Sequence, residues 1–262
     1  MSFYGYPEYM PVAERKRKAQ KQVEKLKKKN SDIAPVMITG RRLAVTWWGT
    51  AWNNNLESYS DYENRIGRGR SYLRNGAVLD LKIEQGLVKA LVQGSSSKPY
   101  QVDMKISPLR GNQWENIKKF CEGKIDSLAE LIDGKFPKAL SDLFTAKGSG
   151  LFPAPREITF QCSCPDWAVM CKHVAAVLYG VGARLDEDPA LFFTLRGVNV
   201  EELITGVIQG KMKSMLSGLE PKSRRILKDA DVSDMFGVEV EKTEIDRIKK
   251  IDMKKKGNSS RI

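Results

Sequence analysis

The chain has 262 residues, 41% of them hydrophobic, enough for one large core or two modest ones. No apolar run approaches the roughly 20 residues that a membrane-spanning helix needs. The net charge of +12 and a pI near 9.5 favour an anionic partner, nucleic acid ahead of acidic protein or lipid surfaces.

The opening, MSFYGYPEYMPVAERKRK, has no apolar centre of the kind a signal peptide carries, so a reducing cytoplasm is expected. Segment 14–29, ERKRKAQKQVEKLKKK, holds nine basic residues and two glutamates, a balance of +7. Ala19, Val23 and Leu26 recur at helical spacing within it, which predicts a basic helix docked lightly on the body. Arg15, Lys16, Arg17 and Lys18 are candidate phosphate contacts there. A merely solvated helix face is the competing reading.

RRLAVTWWGTAWNNNLESY reads as a short strand and then a helix starting near the tryptophans. Trp47, Trp48 and Trp52 are expected in the core rather than on a stacking platform. The next segment, RIGRGRSYLRNG, sets Arg65, Arg68, Arg70 and Arg74 around Tyr72 among glycines that read as flexible. Arginines so dense are poor core material and good phosphate contacts. They could instead pair with Asp61 and Glu63. Residues 77–84 and 87–93 alternate about the turn QG and predict a hairpin; 99–106 adds a third antiparallel strand. Lys98 and Tyr100, in VQGSSSKPY, are placed at the loop edge of the same surface. The glycines at 67 and 69 are not a phosphate loop, since no Gly-x-x-x-x-Gly-Lys-Ser/Thr element is present.

From 111 to 144 the pattern turns to short amphipathic helices broken by Gly or Pro. Cys121, in KKFCEG, reads as a small packing residue. TAKGSGLFPAPRE follows as a connecting loop.

Three of the four cysteines and the only histidine fall in QCSCPDWAVMCKH, residues 161–173. EITFQCSC alternates as a strand does, so Cys162 and Cys164 project to one face. Pro165 ends that strand. CKHVAAVLYGVGARL is helical in pattern. Residues two apart lie about 200° apart around a helix, so Cys171 and His173 can converge only if Cys171 sits at or before the helix start. Three thiolates and an imidazole make the closed tetrahedral set of structural Zn2+. Disulfides need an oxidising compartment, a Cys/His nucleophile needs no second cysteine pair, and an iron–sulfur cluster normally takes four thiolates.

Cys162-x-Cys164, six residues, then Cys171-x-His173 resembles the SWIM-type zinc finger. The similarity extends from about Tyr6 to Gly197, through YPEYMPVAERKRKA, WWGTAWNNNLESYSDYENRIGRGRSYLRNGAVLDLKI and VQGSSSKPYQV, to the prokaryotic SWIM zinc finger family. That resemblance implies an intracellular protein, often encoded near a helicase-like ATPase of the Snf family, and a role in binding DNA or other proteins.

The expected fold is α+β: a basic helix or arm over 1–35, an antiparallel-sheet domain over 36–110, helices over 111–150, the zinc finger over 151–200, and a helical region with a basic tail over 201–262. In it Leu191, Phe192, Phe193 and Leu195 pack over the finger helix. The expected function is a non-catalytic accessory that binds nucleic acid, DNA ahead of RNA. A zinc-stabilised adaptor between proteins is the alternative. A nuclease built on Asp61, Glu63 and Asp80 lacks any paired acidic motif at recognisable spacing. The apolar faces of the finger helix and Trp167 are either a dock for the ATPase or covered by the C-terminal helices.

Overall fold

The computed structural model describes residues 11–57, 63–122, 128–203 and 205, all within one compact unit, Met1–Ser214. The expected helical segment beyond 205, with its basic tail, lies outside the described residues.

Four antiparallel strands form one sheet in sequence order. Strands Val78–Glu84 (β1) and Leu87–Val92 (β2) make the expected hairpin, and Tyr100–Ile106 (β3) pairs with β2. Gly86 takes φ +67° at the hairpin turn, a conformation that costs a residue without Cβ nothing. The sequence reading ends the sheet there. The structure adds a fourth strand, Ile158–Cys162 (β4), antiparallel to β3 with Ile158 opposite Ile106 and Cys162 opposite Val102. The strand that carries the first ligand is therefore an edge of the sheet.

The apolar residues of the sheet, among them Leu81, Val88, Val102, Met104 and Ile106, are buried. Helix Lys172–Glu187 (α7) lies across all four strands. Twelve of its 16 residues are buried, which explains a sequence apolar all round rather than on one stripe. Its other side is covered by Trp47–Glu57 (α2) and Glu63–Arg74 (α3). Close approach depends on glycine. A Cβ at Gly69 of α3 would lie 2.5 Å from the Ala175 Cβ, and one at Gly182 of α7 would lie 2.4 Å from Asn53 Oδ1. Asp186, near the end of α7, accepts from Val45 N (2.6 Å), Thr46 N (2.9 Å) and Thr46 Oγ1 (2.6 Å), and so fixes the start of α2.

Trp47, Trp48 and Trp52 pack in the core, as expected. Trp48 and Trp52 are fully buried and donate to Leu131 O (3.0 Å) and Leu178 O (2.8 Å). Trp47 packs edge-on to Trp48 and Phe136. Helices Gly111–Cys121 (α4), Leu128–Ile132 (α5) and Lys138–Thr145 (α6) bring Trp114, Cys121, Leu131 and Phe144 to the same core. Helix Ala190–Arg196 (α8) packs on α7 and β1, with Phe192, Phe193 and Leu195 buried and Leu191 partly so.

Helix Val12–Lys29 (α1) docks as its pattern predicts, burying Ala19 and half-burying Val23 and Leu26. Lys18 Nζ donates to Ser95 O (3.0 Å) and Ser96 O (3.1 Å), and Gln22 Nε2 to Ser97 O (3.2 Å). Among the described residues no helix is long and apolar enough to cross a membrane.

Candidate metal centre and its basic surround

β4 delivers Cys162 at its last position and Cys164 just beyond. The pairing continues past the strand, because Ser163 N donates to Gln101 O (3.0 Å) and Gln101 N to Ser163 Oγ (2.9 Å). Cys171 is the N-cap of α7, with φ −75° and ψ 169°, and His173 falls in the first turn. This is the arrangement that the two-residue spacing requires. The four donor atoms lie within 4.8 Å of one another, with His173 Nδ1 3.7 Å from Cys171 Sγ and 3.9 Å from Cys162 Sγ. Bonds of about 2.3 Å to sulfur and 2.0–2.1 Å to nitrogen give tetrahedral edges of roughly 3.5–3.8 Å, so the donors stand near the spacing zinc would impose. Three thiols and an imidazole, all supplied by the chain, leave no position for water or substrate. The set fits a closed structural site.

The thiols differ in acidity. The Cys162 thiol donating to Cys171, then the His173 ring and the Val174 amide, hold Cys171 down to about 3 against the opposing effect of burial. Val174 N reaches the Cys171 sulfur at 3.5 Å, and the helix N-terminus adds its own positive field. Donation to Cys171, and then burial, push Cys162 well above the ordinary thiol range; burial also raises Cys164. Binding a cation by three thiolates would release the protons the thiols still hold.

His173 is held by ring packing. Tyr72 meets it edge-on at 5.3 Å, and the Tyr100 ring lies tilted against it at 4.6 Å. Its Nε2 is buried with no hydrogen-bond partner among the described residues. A Cβ at Gly94 would come within 2.9 Å of that nitrogen and 2.4 Å of the Tyr100 ring. An unpaired buried N–H costs about 1–3 kcal/mol, which a metal bond at Nδ1 readily offsets. Tyr72, read from sequence as lying among candidate phosphate contacts, and Tyr100, placed at the loop edge of that surface, here wall the ligand. Gly94 carries no local signal, because its role depends on Tyr100 and His173, which come from two separate elements.

The segment 65–74 is not a flexible loop but α3, and a helix distributes the four arginines differently. Ile66, Gly69 and Leu73 turn toward the core. Successive residues advance 100°, so Arg65, Arg68 and Tyr72 fall on one flank and Arg70 and Arg74 on the other. Arg65 pairs with Asp166 of the metal loop and lies 5.9 Å over the Trp167 ring. Arg70 pairs with Glu57 at 2.6 Å and donates to Tyr179 Oη at 2.8 Å. Those partners are Asp166 and Glu57; Asp61 and the Glu63 side chain lie outside the described residues. Asp80 accepts from Ala34 N at 2.8 Å, a structural contact.

Burial raises the Tyr72 hydroxyl pKa, while the charges of Arg15 and Arg68 act against it, as only nearby cations can. Lys172 likewise acts on Asp166. Arg15 of α1, Arg65 and Arg68 of α3 and Lys172 of α7 thus surround the finger. Trp167 stands beside them, 83% exposed, and Val169 is 73% exposed. Lys16 and Arg17 are exposed but point to other sides of α1, Lys18 is held by the 95–96 carbonyls, and Lys98 is exposed on the neighbouring loop.

Residues 156–181 match the SWIM zinc finger family model. The chain is 39% identical over 166 residues to the uncharacterized protein Rv2102 of Mycobacterium tuberculosis; the match covers 63% of this chain and 60% of that protein, less than two thirds of its length. No solved structure matches the chain. The pattern, the strand-and-helix frame and the four converging donors agree: residues 156–181 form a SWIM zinc finger.

Proposed function

We propose that this protein is a non-catalytic, zinc-dependent accessory that binds nucleic acid, DNA ahead of RNA, and serves a helicase-like ATPase of the Snf family. The carrying observation is the set of cations about the finger. Arg15, Arg65, Arg68 and Lys172 come from three helices and meet around one side of the metal site. With zinc bound by three thiolates and a neutral imidazole, the centre carries one negative charge. The surrounding cations outnumber it and leave a surface suited to phosphates. Zinc would hold β4, the 165–170 loop and the start of α7 together, and so fix the distances between those cations. The ATPase partnership rests on the resemblance spanning about Tyr6 to Gly197, not on any contact.

A second reading is supported by Trp167 and Val169. Two large apolar side chains exposed on a loop tied down by metal suit a protein anchor, and an adaptor would use them so. Binding of labelled DNA and RNA, single and double stranded, to the purified zinc-loaded chain alone separates the two. Nucleic-acid binding without a partner is expected. No binding to any of the four probes, with an ATPase recovered from the source cell by the wild type but lost in Trp167→Ala, would make the protein an adaptor.

A further inference from the structure

On the flank of α3 turned from the finger lies a cleft of about 320 Å³. Arg41, Arg42, Arg70 and Arg74 line it, with Thr50 and Asn54 adding polar groups from α2. Among the described residues one carboxylate lines it, Glu57, and it is already engaged. It takes Arg70 at 2.6 Å and the Tyr179 hydroxyl at 2.5 Å, while Arg70 Nε donates to that same hydroxyl at 2.8 Å. This closed triad holds the wall in place and neutralises Arg70. Arg41, Arg42 and Arg74 have no ion pair among the described residues. Arg74 Nη2 donates to Arg41 O at 3.2 Å, which keeps its guanidinium beside the 41–42 segment instead of free to move away.

Three guanidiniums at one cleft, without an ion pair among the described residues, repel one another, and an anion removes that penalty. Guanidinium forks match phosphate oxygens bidentately, and a hydroxyl and an amide nearby can donate to the same group. Among the described residues the cleft exposes no aromatic face on which a base could stack, since Tyr179, the one ring lining it, is 4% exposed. We infer that this cleft is a phosphate-binding site, distinct from the finger surface, with Arg41, Arg42 and Arg74 as its anion contacts. The phosphate could belong to a small phosphorylated molecule or to a nucleic-acid backbone, and the chemistry at the three arginines is the same.

The test uses the full zinc-loaded chain and the triple variant Arg41→Gln, Arg42→Gln, Arg74→Gln. All three side chains are exposed, so the fold is expected to survive, and unchanged zinc content and circular dichroism check that. Inorganic pyrophosphate at about ten times its Kd should raise the wild-type Tm by roughly 3 °C over sodium chloride of equal ionic strength, and leave the variant unmoved. A shift of that kind assigns the site to small phosphates. If pyrophosphate acts on neither protein but the variant binds a labelled oligonucleotide at least tenfold more weakly, the site holds backbone phosphate. Equal behaviour of both proteins toward both probes overturns the inference. The finger surface is tested by different residues, so either result can fail alone.

Discussion

Cys171 sits where α7 begins and where three other donors converge. Its sulfur faces the metal position and also accepts the Val174 amide; a serine hydroxyl can keep that cap but removes the thiolate ligand, so the substitution isolates the loss of the metal. Cys171→Ser should therefore lose zinc and loosen 158–185, because a structural zinc supplies on the order of 10 kcal/mol to a small module. Cys121→Ser should keep one zinc per chain, since Cys121 lies in the α4 core away from the cluster. Metal analysis of the purified variants reads both outcomes; retained zinc in Cys171→Ser would refute the ligand set. The ligands were legible in the sequence because coordination demands donor types at fixed local spacing. The walls of the site were not. Tyr72, Gly94 and Tyr100 reach His173 from remote positions, and local pattern carries no such information.

At the scale of elements, α3 shows where reading by composition fails. Two glycines and four arginines in ten residues look like a loop, yet Ile66, Gly69 and Leu73 form a narrow helical stripe, with Gly69 serving as a contact rather than a breaker. The two glycines should then respond in opposite ways. Gly69→Ala forces a Cβ to within 2.8 Å of the Ala175 backbone carbon and should cost about 1–3 kcal/mol. Gly67 has nothing within 4 Å of its Cβ position, so Gly67→Ala should gain up to about 1 kcal/mol from helix propensity. Denaturant unfolding of the two variants measures the difference; equal effects would mean that α3 does not pack on α7 through Gly69. The hairpin, the third strand and α7 were read correctly, because their periods of two and 3.6 are local. That β4 joins the sheet was not readable, since its partner β3 lies more than fifty residues earlier.

For the whole molecule, the finger does more than hold itself together. β4 extends the sheet, α7 fills the space between sheet and helices, and α1 docks on the 95–97 loop that follows β2. The four ligands of the metal site tie β4 and the following loop to α7, which carries Lys172, while Arg15 and Arg68 come from α1 and α3 packed on that frame. The sequence reading offered the basic helix and all four arginines of 65–74 as phosphate contacts. The fold brings only part of each set to the finger, Arg15 with Arg65 and Arg68, and sends Arg70 and Arg74 to the opposite flank. The central claim is that the cations about the finger bind nucleic-acid phosphates. Its most direct test is the salt dependence of oligonucleotide binding between 50 and 200 mM for the wild type and for Arg15→Gln with Arg68→Gln. Each phosphate contact contributes about 0.9 to the slope of log affinity against log salt on duplex DNA. The double variant should bind more weakly to every sequence, with a slope shallower by roughly two and zinc content unchanged. The same affinity and the same slope in both proteins would contradict the account.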